Sequence, residues 1–216
     1  MAIIWPCSLS PSSYAAAGKS IVVPAQRCPT CLVWLMRWGG YWRWLRAPLL
    51  IERIWIRRGR CGECRRTHAL LPDLVLTRRL DDVAVIGRGM ALKVIANLGL
   101  RPIAEHLDVP YTTARSWWRR FQARSPTLVD HCTALAVALD GTAVTLTTSG
   151  ERAALDVLQV AWQRAHVRFG DAVGDVWRFW SRISGGQAPG TNTTSPWAGA
   201  RGADWMAVSH LGGTPP

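Results

Sequence analysis

The chain has no long apolar run, few acids beside its many bases, and almost no lysine. No stretch approaches the roughly 18 uninterrupted apolar residues of a membrane-spanning helix, so a membrane partner is excluded on this reading. The opening MAIIWPCSLSP lacks a basic n-region and its apolar run is short, which points away from a secretory signal and toward a cytoplasmic protein. Of the 26 basic residues 24 are arginine, whose planar fork suits phosphate and guanine edges, although GC-rich codon usage favours arginine as well. Residues 1–80 hold 13 Lys/Arg against 3 Asp/Glu, a net +10, while residues 81–125 carry a net +3 and residues 126–216 a net −1. A polyanion is therefore the expected partner of the N-terminal half, and the C-terminal part has another task. No internal repeat is evident, and 216 residues suffice for one good core or two small ones.

Six cysteines are present, and four of them fall into two Cys-x-x-Cys pairs, Cys28/Cys31 and Cys61/Cys64. Without an export signal this arrangement favours a metal over disulfides. A two-residue gap lets both sulfurs of a pair turn onto one ion, and two such knuckles complete a tetrahedral shell of four thiolates, the pattern of a structural Zn2+ site. Four thiolates close the shell and leave no position for a reacting water, so catalysis at this metal is not expected. A redox reading would need one pair at a helix start in a βαβ unit, and that context is missing. His68 stands four residues after Cys64; it is expected behind the ligands or at the surface, with replacement of one cysteine as the alternative. Cys7 is left as a free thiol. Between the knuckles, Tyr41 to Arg46 and Ile51 to Arg58 alternate as strands joined by a turn at Ala47-Pro48, with Ile54 and Ile56 on one face and Arg53, Trp55 and Arg57 on the other. The whole reads as a zinc ribbon.

The run RPIAEHLDVPYTTARSWWRRF, Arg101 to Phe121, reads as two short helices around a tight turn. Ile103 and Leu107 share a face of the first helix. Asp108-Val109-Pro110 interrupts the pattern, since proline cannot continue a helix interior and aspartate tolerates a left-handed corner. The second helix places Ala114, Trp117 and Phe121 on one side, with Thr112, Arg115, Ser116 and Arg119 on the other. The spacing of Ile103, Ala104, Leu107, Val109, Ala114 and Trp117 resembles the helix-turn-helix of bacterial DNA-binding proteins, close to IAxxLGVxxxTVxxW. Asp108 stands here where glycine is usual, and Ala114 where valine is usual. Such a motif lays its second helix in the major groove. Tyr111, Thr112, Arg115 and Ser116 are the candidates for base contact, with Arg101, Arg119 and Arg120 for phosphates. Trp117 is assigned to the core, and Trp118 to a partly exposed position against the ribbon or a sugar-phosphate backbone.

A helix capped by Asp81 or Asp82 and running to about Leu98, with Gly99 just beyond, would be the first of a three-helix domain. After Ser125-Pro126 a new helix is expected from Thr127, with Asp130 in capping-box spacing. Leu128, Cys132, Leu135 and Leu139 form its stripe, so Cys132 is a core residue and does not share a metal with His131. Residues 141–150 read as a polar linker or short strand, with further helices over about Glu151 to Phe169 and Ala172 to Ser184. The expected fold is α+β, mainly α. It comprises a loose leader (1–26), in which Ile21-Val22-Val23 form a strand, a zinc ribbon (27–72) and a helix-turn-helix domain (80–125). A C-terminal helical region (126–184) and a disordered tail (185–216) complete it.

A ribbon closing with Cys61-x-x-Cys64-x-x-Thr67-His68-Ala69-Leu70-Leu71-Pro72, followed by such a helix pair, resembles the N-terminal head of insertion-sequence transposases. It resembles still more the short stand-alone bacterial helix-turn-helix proteins of that build. The likeness covers roughly residues 27–125, and extends more loosely to Trp177-Arg178-Phe179, Gly185-Gly186 and Thr191-Asn192-Thr193. It implies a sequence-preferring double-stranded DNA binder linked to mobile elements or to transcriptional regulation. The ribbon adds Arg43, Arg46, Arg53, Arg57, Arg58 and Arg60 among Trp42, Trp44 and Trp55. Arg57 and Arg58 are further phosphate candidates; the rings either stack on unpaired bases or fill the ribbon core. Two other classes stand beside this reading. One is a truncated transposase, in which Asp140-Gly141-Thr142 would supply the first acid of a metal-dependent site. No convincing partner acids follow in order, since Asp156, Asp171 and Asp175 fall on expected helices, and an enzyme is not expected. The other is an adaptor whose ribbon docks a transposase or other subunit and whose C-terminal helices form a homodimer.

Overall fold

The computed structural model describes residues 2–48 and 50–187. Among these are six α-helices and one four-stranded sheet, with every helix longer than seven residues following the strands. The sheet has the order β1-β4-β3-β2 (Ala2–Trp5, Thr67–Pro72, Leu50–Arg60, Met36–Ala47). β2 and β3 form an antiparallel hairpin in the expected place. Its register sets Tyr41 opposite Ile56 and Arg43 opposite Ile54, and on the other face Trp42 opposite Trp55 and Trp44 opposite Arg53. The pleat alternates as expected, with Ile54 and Ile56 fully buried. Gly39 and Gly40 carry a bulge: Gly39 has φ +75°, and a Cβ on Gly40 would meet the Ile56 carbonyl at 2.5 Å.

The leader expected to be loose is structured. β1 pairs in parallel with β4, α1 (Pro11–Ala17) starts from Ser10, whose side chain accepts from the Ser13 amide, and a 3-10 turn follows over Gly18–Ser20. Trp5, Cys7, Tyr14 and Ile21 are buried with Leu45, Ile54 and Leu70 in the core on the sheet. Alternation was too short here to reveal a strand whose pairing partner lies some 67 residues away, as Ala2 faces Ala69. Ile21-Val22-Val23, expected as a strand, is irregular.

Asp82 caps α2 (Val83–Val94), accepting from the Ala84 amide, and Val83, Ile86 and Met90 are buried. The helix ends at Val94 rather than near Leu98, because Asn97 turns left-handed at φ +51° and Gly99 serves as the N-cap of α3 (Leu100–His106). The expected stop after Ser125 does not occur either. α4 runs unbroken from Tyr111 to Asp140, with Pro126 inside it. Pro126 faces solvent, so water can serve the carbonyl its missing N–H leaves free, while Phe121, Ser125 and Leu128 stay buried on the opposite face. Packing overrides the local breaker.

α5 (Gly150–Phe169) lies along α4, with Ala136, Ala154, Ala161 and Ala165 buried in the core they share. Arg164 donates to the carbonyls of Ala136 and Thr142, and Arg168 to that of Leu139, which the α4 C-terminus leaves without an intrahelical donor. The helix expected from Ala172 is instead a 3-10 turn (Gly170–Val173) and then α6 (Val176–Ile183), restarted by Gly174 at φ +68° and an Asp175 cap. Trp180 meets Phe121 edge-on at 6.0 Å. α6 also ties the helices to the sheet: Ser181 Oγ donates to Val75 O, and Arg182 faces Asp73 at 3.4 Å. Residues 126–184 therefore share one core with α2, α3 and the start of α4. The tail from residue 188 on, with the Thr191-Asn192-Thr193 likeness, lies outside the described residues.

Candidate metal centre and basic helix face

The two Cys-x-x-Cys knuckles are built alike. In the first, the Cys28 amide donates to Val33 O and Leu32 turns left-handed at φ +60°. In the second, the Cys61 amide donates to Arg66 O and Arg65 turns left-handed at φ +57°. Each loop thus closes from i to i+5 with a left-handed residue at i+4, which presents both sulfurs inward. The hairpin brings the knuckles together, and all four sulfurs lie within 4.8 Å of one another. A tetrahedral ion with metal–sulfur bonds of about 2.3 Å needs sulfurs about 3.8 Å apart; Cys28 and Cys64 are 3.7 Å apart. The cluster fits a metal ion. Among the described residues no other group of three or more His, Cys, Asp or Glu is so placed.

Electrostatics agree with the geometry. The Cys31 backbone amide draws the Cys28 thiol down to about 6, whereas hydrogen bonding first to Cys64 pushes Cys31 up to about 12. Crowded thiols cannot all ionise unless a cation balances them. His68 is fully buried rather than at the surface, with Nε2 3.7 Å from Cys28 Sγ at the edge of the four-sulfur group.

The second feature is the solvent side of α3 and α4. Asp108 adopts φ +51° at the corner between the helices, the left-handed turn its residue type permits. Ile103, Ala104, Val109, Ala114 and Trp117 are buried beneath it. Tyr111, Thr112, Arg115 and Arg119 are exposed on the first turns of α4, and the Arg101 guanidinium lies 5.9 Å from the Tyr111 ring. Ser116 is drawn away from this group, since Arg120 donates to both its carbonyl and its hydroxyl. Trp118 packs on the helical core, with Lys93 Nζ 5.9 Å from its ring, and not on the sheet.

Among the phosphate candidates of the hairpin, Arg57 donates to the carbonyls of Ile21 and Lys19 and holds the N-terminal segment; Arg58 donates to Thr67 Oγ1. Sequence reasoning passed over Arg79 and Arg124, which gather near Arg120; burial first, and then the charge of Arg120, lowers the basicity of both. Only the three-dimensional fold shows this cluster. Of the acids weighed for metal-dependent chemistry, Asp140 pairs with Arg164 at 2.8 Å, Asp156 with Arg152 at 2.9 Å, and Asp175 caps α6.

Residues 28–97 match a family model described as a domain of unknown function (DUF6431). The match begins at Cys28 and takes in all four cysteines, His68, the hairpin and α2. Neither the curated proteins nor the solved structures give a match to the chain. No helix of the described residues is long and apolar enough to cross a membrane.

Proposed function

We propose that the protein binds double-stranded DNA with sequence preference, through a helix-turn-helix formed by α3 and α4. The observation that carries this reading is the exposed group Tyr111, Thr112, Arg115 and Arg119 on the opening turns of α4, beside Arg101 and over a buried Ala114–Trp117 face. The N-terminal turns of a recognition helix are where base edges are met. Arg115 takes the role of a bidentate guanine contact, with Arg101 and Arg119 on phosphates. The four-cysteine cluster is a zinc ribbon in this account: thiolate ligands select zinc, and a closed shell makes the ion structural. The sequence likeness of residues 27–125 to the heads of insertion-sequence transposases supports a role linked to mobile elements or to transcriptional regulation.

Duplex titrations across a salt series test this assignment. Arg119→Ala is expected to weaken binding to all sequences and to lower the salt slope by about one, as loss of one phosphate contact does. Arg115→Ala is expected to cost about 1–3 kcal/mol on the preferred site and little elsewhere. Equal effects of both variants on preferred and scrambled duplexes would contradict base readout by α4.

A further inference from the structure

The β2–β3 hairpin carries a surface that the duplex reading does not use. Trp42, Trp44, Arg53 and Trp55 share one face of the pleat, as the pairs Trp42–Trp55 and Trp44–Arg53 require. Trp44 is 54% exposed and Trp42 39% exposed, so neither fills the core. Cations interleave the rings. The Arg53 guanidinium lies 5.8 Å from Trp42 and 5.9 Å from Trp44, and Lys19 Nζ lies 5.2 Å from Trp55. Among the described residues no carboxylate pairs with Arg53. Exposed indoles interleaved with cations mark an interaction surface, since large apolar groups are otherwise kept from water.

We infer that this face binds single-stranded DNA, with unpaired bases stacked on Trp42 and Trp44 and phosphates held by Arg53 and Lys19. Charge complementarity selects a polyanion, because residues 1–80 carry a net +10. Strand geometry selects an unpaired one. Same-face residues two apart on a strand are about 6.7 Å apart, whereas bases in a duplex are stacked about 3.4 Å apart and closed to a ring from outside. Successive rings at this spacing receive bases that have left the stack. The choice of DNA over RNA rests on the duplex reading of α4, whereas the surface itself uses none of the α4 side chains.

The test is fluorescence anisotropy of labelled oligothymidylate with the full-length, zinc-loaded protein at fixed salt. Trp44→Ala and Trp42→Ala are each expected to weaken binding about 5- to 100-fold, the range of one lost base–aromatic stack. Trp44→Phe keeps a ring and is expected to retain most of the affinity. Arg115→Ala is expected to bind oligothymidylate as wild type does, which separates this surface from α4. Metal content and melting temperature of the variants report that the fold is intact. Unchanged oligothymidylate binding by both alanine variants would overturn the inference, as would equal competition by a scrambled duplex. A clear preference for oligouridylate overturns the assignment to DNA. Conversion of a dimer to a monomer by Trp44→Ala without change in oligothymidylate binding assigns the face to self-association instead.

Discussion

Among the described residues, eleven buried side chains, from Trp5 to Val75, make up the core on the sheet, and twenty-three, from Leu76 to Trp180, make up the core among the helices. The helical part closes by packing alone, with Trp117, Phe121 and Trp180 each burying a large ring. The sheet has half as many buried side chains, and its hairpin reaches past them to the knuckles at Cys28–Cys31 and Cys61–Cys64. That distal end has little apolar cover: Leu32, Trp34, Met36 and Trp38 are all exposed. A small β unit of this kind needs another source of cohesion, and a metal bound by four thiolates supplies it directly. The comparison teaches that the part whose distal end depends on the four-cysteine cluster and the part closed by apolar packing should fail under different insults.

Chelation should separate the two most sharply. Removal of the metal, or Cys61→Ser, is expected to unfold the distal hairpin while the helical far-ultraviolet signal largely persists, because structural zinc supplies about 10–16 kcal/mol in small domains. Metal analysis with circular dichroism checks this, and full cooperative unfolding on chelation would merge the two parts into one unit. The converse change is Trp117→Ala, which empties a fully buried site. It should cost about 3–5 kcal/mol in thermal or urea unfolding and leave metal content unchanged.

His68→Ala sharpens the metal side. Loss of the imidazole at Cys28 Sγ should lower metal affinity about 10–100-fold without removing a ligand. Competition with a chromogenic chelator measures it, and a complete loss of binding would make His68 a ligand.

The smallest expected effect lies at the junction. Burial pushes the carboxyls of Asp73 and Asp82 up to about 6. An unfolded aspartate titrates near 3.9, so between about pH 4 and pH 6 the native state holds protons that the unfolded chain has released. Stability therefore falls as pH rises through that window and levels off above it. Asp82→Asn keeps a side-chain oxygen for the Ala84 amide and removes one ionisation. Its stability should be less dependent on pH between 4 and 6, with a gain on the order of 1 kcal/mol at pH 7 and little change at pH 4. A pH series of denaturant melts decides, and an unaltered slope would exclude Asp82 as its source.

Much of this arrangement was legible in the residues. The alternation around Ile54 and Ile56 gave the hairpin and its buried face; the Cys-x-x-Cys spacing gave the four-sulfur cluster; Asp108 gave the left-handed corner. The misses have one physical character, since each was decided by a distant partner. Ala2–Trp5 becomes a strand only because β4 offers an edge to it, and Tyr14 is buried only because the sheet lies beneath α1. Pro126 reads locally as a break, but the packing of Phe121, Ser125 and Leu128 carries α4 through it. The left-handed Leu32 and Arg65 carry no local signal, because glycine or asparagine would ordinarily mark such positions. The same limit hid the engagement of Ser116 by Arg120 and the gathering of Arg79, Arg120 and Arg124.

The measurement that bears most directly on the central claim is selection on random DNA duplexes at one moderate salt concentration, with wild-type protein and Arg115→Ala run in parallel. Salt is fixed because phosphate contacts alone give binding that collapses as ionic strength rises. The account predicts that wild type enriches a motif and that Arg115→Ala relaxes one guanine-containing position of it. Salt-sensitive binding with no enriched motif, or an identical motif from the variant, would contradict base recognition by Arg115 on α4.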